Sequence, residues 1–164
     1  MTFSRLVSIG FGLGLLRPAP GTWGSAGAIA VGLVIDRYLG APVLVLAAIL
    51  ATFAGIWACH AELRDRPGAD PSEIVIDEVA GQWLALSFPA MAFWFRGWET
   101  WMPYPGWVAA FLFFRLFDIW KPWLIRKADE RADWMGVMLD DLLAGLAAGI
   151  AVIVAGGIAH GVLM

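Results

Sequence analysis

The 164-residue chain is poor in charge: Asp, Glu, Lys and Arg together make up only 15% of it. Average soluble domains carry about 25%. It has one cysteine, Cys59, and two histidines, His60 and His160. A single cysteine excludes a disulfide framework and a thiolate zinc site, and two histidines leave little for a histidine-built metal cluster. Basic surface is lacking too, because the net charge is −3 and the pI about 5.2. That excludes a nucleic-acid binder and attachment to a membrane through a polybasic patch. What is abundant is apolar: 60% hydrophobic residues plus 19 glycines, with a mean hydropathy of +0.74. A soluble domain of this size cannot hide so much apolar surface. These numbers predict an all-α, compact, polytopic membrane bundle.

A bilayer span needs about 20 mostly apolar residues. Residues 42–60 meet this without a charge, while 74–95, 107–125 and 137–158 meet it with acidic or basic residues near one end. Residues 23–39 form a shorter fifth candidate. Turn chemistry separates them at Gly40-Ala41-Pro42, at Arg66-Pro67-Gly68-Ala69-Asp70-Pro71 and at Pro103-Tyr104-Pro105-Gly106. About five hydrophobic helices with short loops make one domain over residues 1–164. The first twenty residues have a basic residue and an apolar run but no small-x-small cleavage pattern, so they read as a retained, membrane-associated segment. Alternating the five spans places Arg5, Arg17, Arg64, Arg66, Arg126, Lys127 and Arg131 on one side, against Arg37 and Arg96 on the other. The richer side is the cytoplasmic one.

That topology brings six carboxylates to one depth. Glu62 closes the second span, Asp77 and Glu78 open the third, Asp118 lies near the inner end of the fourth, and Asp140 and Asp141 open the fifth. A charge at a helix end can snorkel into water, and an acid in a first turn meets the helix dipole favourably. Two adjacent pairs and two further acids at matched depth go beyond that account. Grouped carboxylates repel each other, and a divalent cation relieves the repulsion. Hard oxygen ligands suit Mg²⁺ or Mn²⁺. Asp77 precedes Gly81 by four residues and Asp141 precedes Gly145 by four. Each acid therefore shares a helix face with a glycine where another backbone can approach.

In the fourth span Arg115, Asp118 and Lys121 step by three and share a face, and Pro122 ends or kinks the helix. This face is either a cationic rim for a phosphate, extended by Arg126, or a pair in which Arg115 and Asp118 neutralise each other. Before the first span, Pro20-Gly21-Thr22-Trp23-Gly24-Ser25 predicts a tight entry into a helix capped by Thr22 or Ser25. Helix-start N–H groups there suit an anion.

Four segments together carry a family resemblance: PGTWGS at 20–25, DPSEIVIDEVAG at 70–81, FRLFDIWKPW at 114–123 and GVMLDDLLAG at 136–145. In them the chain resembles phosphatidylglycerophosphatase A, a magnesium-dependent lipid phosphatase of the bacterial inner membrane, along nearly its whole length. The resemblance implies an all-helical enzyme that removes the terminal phosphate of phosphatidylglycerol phosphate at the cytoplasmic face. It implies Asp77, Glu78, Asp118, Asp140 and Asp141 as the polar active-site group; Glu62, outside the matched segments, is a sixth candidate metal ligand by depth alone. Arg115 and Lys121 fall within the matched motif and, with Arg126 and Thr22, are the candidate phosphate-binding residues. Some members carry His-Gly-Gly just before the last motif, where this chain has Asp133-Trp134-Met135-Gly136. The competing class is a cation transporter using intramembrane carboxylates. It requires acids spread through the membrane's depth, whereas only Asp36 and Glu99 lie toward the outer face, with no charged neighbours evident.

Overall fold

In the computed structural model, residues 1–66, 69, 71–131 and 133–163 are described, and the side chains of 161–163 are not. The expected turn residues Pro67, Gly68 and Asp70 therefore lie outside the description. Among the described residues the chain forms seven α-helices and one 3₁₀ segment. They are α1 (Phe3–Ser8), the 3₁₀ turn (Gly10–Leu15), α2 (Pro20–Leu39), α3 (Ala41–Leu63), α4 (Ile76–Trp94), α5 (Gly106–Trp120), α6 (Leu124–Asp129) and α7 (Trp134–Leu163). Each of the five hydrophobic stretches contains a long helix, but the fourth, expected over 107–125, breaks after Trp120 and its last two residues open α6.

The helix limits follow local chemistry. Helix α2 starts with Pro20 in its first turn, where a missing N–H costs nothing. Thr22 and Ser25 do not cap it: the residue before the helix is Ala19, and the Ser25 hydroxyl turns back to the Gly21 carbonyl at 2.9 Å. Gly40 ends α2 at φ +89°, with its N–H on the carbonyls of Ile35 and Asp36. Helix α5 stops at Trp120 because Lys121 turns left-handed at φ 49° ahead of Pro122. Helix α7 begins three residues before the expected start, placing Asp140 and Asp141 nearly two turns inside it.

Helix α4 is the hub, packed against α2, α3, α5 and most extensively α7. Its neighbours bury Val79, Ala80, Ala85, Leu86 and Ala90. The outward faces are apolar instead of polar: Leu46, Leu50 and Phe53 on α3, Leu112, Leu116 and Ile119 on α5, and Ile150, Val154 and Ile158 on α7 are all exposed. Apolar surface this continuous suits lipid tails better than water. Two helices, α3 and α7, are long and apolar enough to cross a membrane.

Candidate active site

Asp77 and Glu78 occupy the first turn of α4, where acids complement the positive end of the helix dipole. Two glycines bring α7 against them. A methyl on Gly81 would sit 2.5 Å from the backbone carbonyl oxygen of Asp141, and one on Gly145 would collide with the backbone of Gly81. The two helices thus touch main chain to main chain, one turn beyond each acid. The acid-to-glycine spacing seen in the sequence is the device that levels the two carboxylate pairs. Asp77, Asp140 and Asp141 remain only 7%, 6% and 4% exposed. Asp77, Glu78 and Asp141 each bring a carboxylate oxygen within 4.8 Å of the others.

Around this triad lies a cavity of about 420 Å³, bordered by Asp118 and Asp140 as well. Its cationic side comes from α5. Arg115 pairs with Asp118 at 2.5 Å, both largely buried. Lys121 hydrogen-bonds Asp140 at 2.7 Å and also Asp129 of α6. Burial opposes the charge on Lys121, but the bonds to Asp129 and Asp140 outweigh it and hold the ammonium above the ordinary lysine range. It therefore stays charged through neutral pH. Arg115 and Lys121 thus line the cavity and are also matched to carboxylates. Lys121→Met leaves Asp129 and the buried Asp140 unpaired. The expected result, read by thermal unfolding, is a loss of roughly 1–3 kcal/mol.

Thr22 and Gly21 line the cavity from α2. Gly21 is needed there for room: a methyl at this position would strike Glu78 Oε1 and lie 3.4 Å from Arg115 Nη1. Two candidates fall elsewhere. Glu62 lies on the α3 face that meets α1, where it accepts hydrogen bonds from Ser4 Oγ at 2.6 Å and Thr2 Oγ1 at 3.3 Å. It has the right depth but the wrong azimuth, which corrects its assignment to the metal group. Arg126 is exposed on α6 and does not border the cavity, whereas Asp129 one turn later does. Asp129, Arg131 and Asp133 also border the cavity and were not singled out by spacing. Short loops and a six-residue helix carry them, and neither has a period to read.

The donor set fits a hard divalent cation. The triad is all oxygen, and Glu78 Oε2 is buried without a hydrogen-bond partner. No histidine borders the cavity: His60 stacks edge-on against Trp134, and His160 is exposed near the far end of α7. At the opposite end of the bundle a second cavity is lined by Asp36, Arg37 and Glu99. The two acids expected to be isolated there thus share one cavity with a cation.

Comparison with known proteins decides the family. The family model for phosphatidylglycerophosphatase A matches residues 6–156. The chain belongs to the phosphatidylglycerophosphatase A family. A phosphatidylglycerophosphatase A of Haemophilus influenzae is 36% identical over 150 residues, covering 90% of this chain and 85% of that protein. The one from Escherichia coli K12 is 38% identical over 149 residues, covering 89% and 80%. A Bacteroides thetaiotaomicron protein provisionally named a phosphatidylinositol-3-phosphatase is 39% identical over 158 residues, covering 92% and 91%. No solved structure gives a significant match. All four segments behind the sequence resemblance lie within the residues that the phosphatidylglycerophosphatase A model covers.

Proposed function

We propose that this protein is a membrane-embedded lipid phosphatase that hydrolyses phosphatidylglycerol phosphate to phosphatidylglycerol. The observation that carries this reading is the largely buried triad of Asp77, Glu78 and Asp141, open to a cavity with three cations, Arg115, Lys121 and Arg131, at one end of a bundle clothed in apolar residues. In this reading residues 1–164 are one catalytic domain. Helices α2, α3, α4, α5 and α7 cross the bacterial inner membrane, and the excess of arginine and lysine places the cavity at the cytoplasmic surface. The substrate's tails stay in the bilayer, so the site reads only the headgroup.

Asp77, Glu78 and Asp141 would hold Mg²⁺, with Asp118 beside them. When bound, such an ion polarises phosphoryl oxygens and lowers the pKa of a coordinated water. Arg115 and Lys121 balance charge on the equatorial phosphoryl oxygens, with Thr22 offering a hydroxyl from α2. Asp140 lies outside the triad and is the carboxyl group that handles the proton. The phosphorus–oxygen bond to glycerol breaks, water supplies the new oxygen, and the leaving alkoxide is protonated. The cation-transport reading finds little support, because α2 to α7 carry no carboxylate between the two ends of the bundle.

The test is phosphate release by purified protein in detergent micelles. Phosphatidylglycerol phosphate and phosphatidylinositol 3-phosphate are offered in parallel, with Mg²⁺ or with EDTA. Turnover of the first lipid should exceed that of the second. Chelation should lower it at least about 100-fold, and added Mg²⁺ should restore it, since such an ion contributes several kcal/mol. Equal turnover in EDTA would remove the metal from the reading, and preference for the inositol lipid would reassign the substrate.

A further inference from the structure

Among the described residues, the buried side-chain polar atoms with neither a hydrogen bond nor an ion pair belong to three residues: Glu78 Oε2, Gln82 Nε2 and Oε1, and Arg115 Nε. Buried polar groups are ordinarily bonded, so a cluster of orphans calls for an explanation. Gln82 is fully buried in α4. It lies one turn beyond Glu78 on the same helix face. Helical side chains lean toward the N-terminus, which carries the Gln82 amide toward Glu78. Glu78 and Arg115 are themselves close neighbours, since both crowd the same point above Gly21. Two helices, α4 with Glu78 and Gln82 and α5 with Arg115, therefore carry unmatched polar atoms in the same part of the bundle.

The unmatched atoms are complementary. Glu78 lacks a donor, Arg115 Nε lacks an acceptor, and a carboxamide offers one of each. We propose that Gln82 is a positioning residue. Its Nε2 donates to Glu78 Oε2 and its Oε1 accepts from Arg115 Nε, across one enclosed water or after a small rotation, which holds the carboxylate and the guanidinium in their working orientation. Arg115 is already paired with Asp118 through Nη1, so the Gln82 contact orients the guanidinium without replacing that pair. Gln82 acts through Glu78 and Arg115 and does not border the cavity. This inference rests on the proposed phosphatase reading for its kinetic arm only.

Gln82→Leu, with Gln82→Met as the unbranched second variant, separates positioning from simple structural support. A glutamine that merely supported the fold would lower kcat and metal affinity no further than it lowers stability. Removing the bridging amide leaves Glu78 Oε2 and Arg115 Nε unmatched, so the unfolding temperature should fall only modestly, on the scale of one or two buried hydrogen bonds. At the same time kcat for phosphatidylglycerol phosphate should fall at least about tenfold. Binding of Mn²⁺ alone, followed by electron paramagnetic resonance, should weaken in Gln82→Leu, and the same change in a Glu78→Gln background should have no further effect. Unchanged kcat and Mn²⁺ affinity would overturn the inference, as would losses that persist undiminished in the Glu78→Gln background. If the unmodified protein releases no lipid phosphate, the phosphatase reading fails while the Mn²⁺ comparison still judges Gln82.

Discussion

Asp141→Asn should reduce phosphate release by roughly 100- to 1,000-fold, the scale lost when one preorganised charge-stabilising group is removed. The protein should still insert into the membrane, because the substitution keeps the side chain's shape and leaves the Asp141 backbone, which meets Gly81, unchanged. Stability should move the other way. Without metal, Asp77, Glu78 and Asp141 crowd oxygens within 4.8 Å. Like charges in a poorly solvated site raise each other's free energy, so removing one should raise the unfolding temperature in EDTA. Added Mg²⁺ should then stabilise the unmodified protein by binding its folded state and leave Asp141→Asn largely unaffected. Thermal unfolding with and without Mg²⁺, run beside the phosphate assay, reads both effects. A variant that turns over normally with Mg²⁺ present would remove this carboxylate from the site.

Gly81→Ala and Gly145→Ala are expected to damage the protein by a different route. The methyl at Gly81 meets a backbone carbonyl of the neighbouring helix at 2.5 Å, and the one at Gly145 meets the backbone of Gly81. Main chain cannot rotate away as a side chain can, so α4 and α7 must separate. Overpacking of this kind costs roughly 1–3 kcal/mol. It also spreads the two carboxylate pairs apart, so activity should fall further than stability alone explains. Gly156→Ala and Gly157→Ala are the controls on the same helix, where a methyl meets nothing within 4 Å. Alanine is the better helix former by about 1 kcal/mol, so these two should be neutral or slightly stabilising. Thermal unfolding and phosphate release measured across the four variants decide the matter, and equal effects at all four positions would contradict the close crossing.

Much of this was legible without coordinates, because the relevant signals are local. Hydrophobic runs broken by proline and glycine delimited the helices to within a few residues at α3, α4 and α7. The left-handed Lys121 ahead of Pro122 ended α5 where proline chemistry required it. The matched four-residue offsets from Asp77 to Gly81 and from Asp141 to Gly145 announced a close helix contact before any partner was known. Glu62 shows the limit of such reasoning. Depth along a helix follows from counting residues, but the face turned toward a site depends on which helix packs where, and α1 claims that face of α3.

Composition and periodicity by themselves determined an apolar helical bundle with acids gathered near one end, because those properties need only near neighbours along the chain. Three things were left to tertiary structure. It brought Asp77, Glu78 and Asp141 together out of six acids, matched Lys121 to Asp129 and Asp140, and buried the Gln82 amide without a hydrogen-bond partner. These depend on the relative rotation of helices distant in sequence, and that rotation is set by how small residues let backbones meet, a contact no single segment encodes.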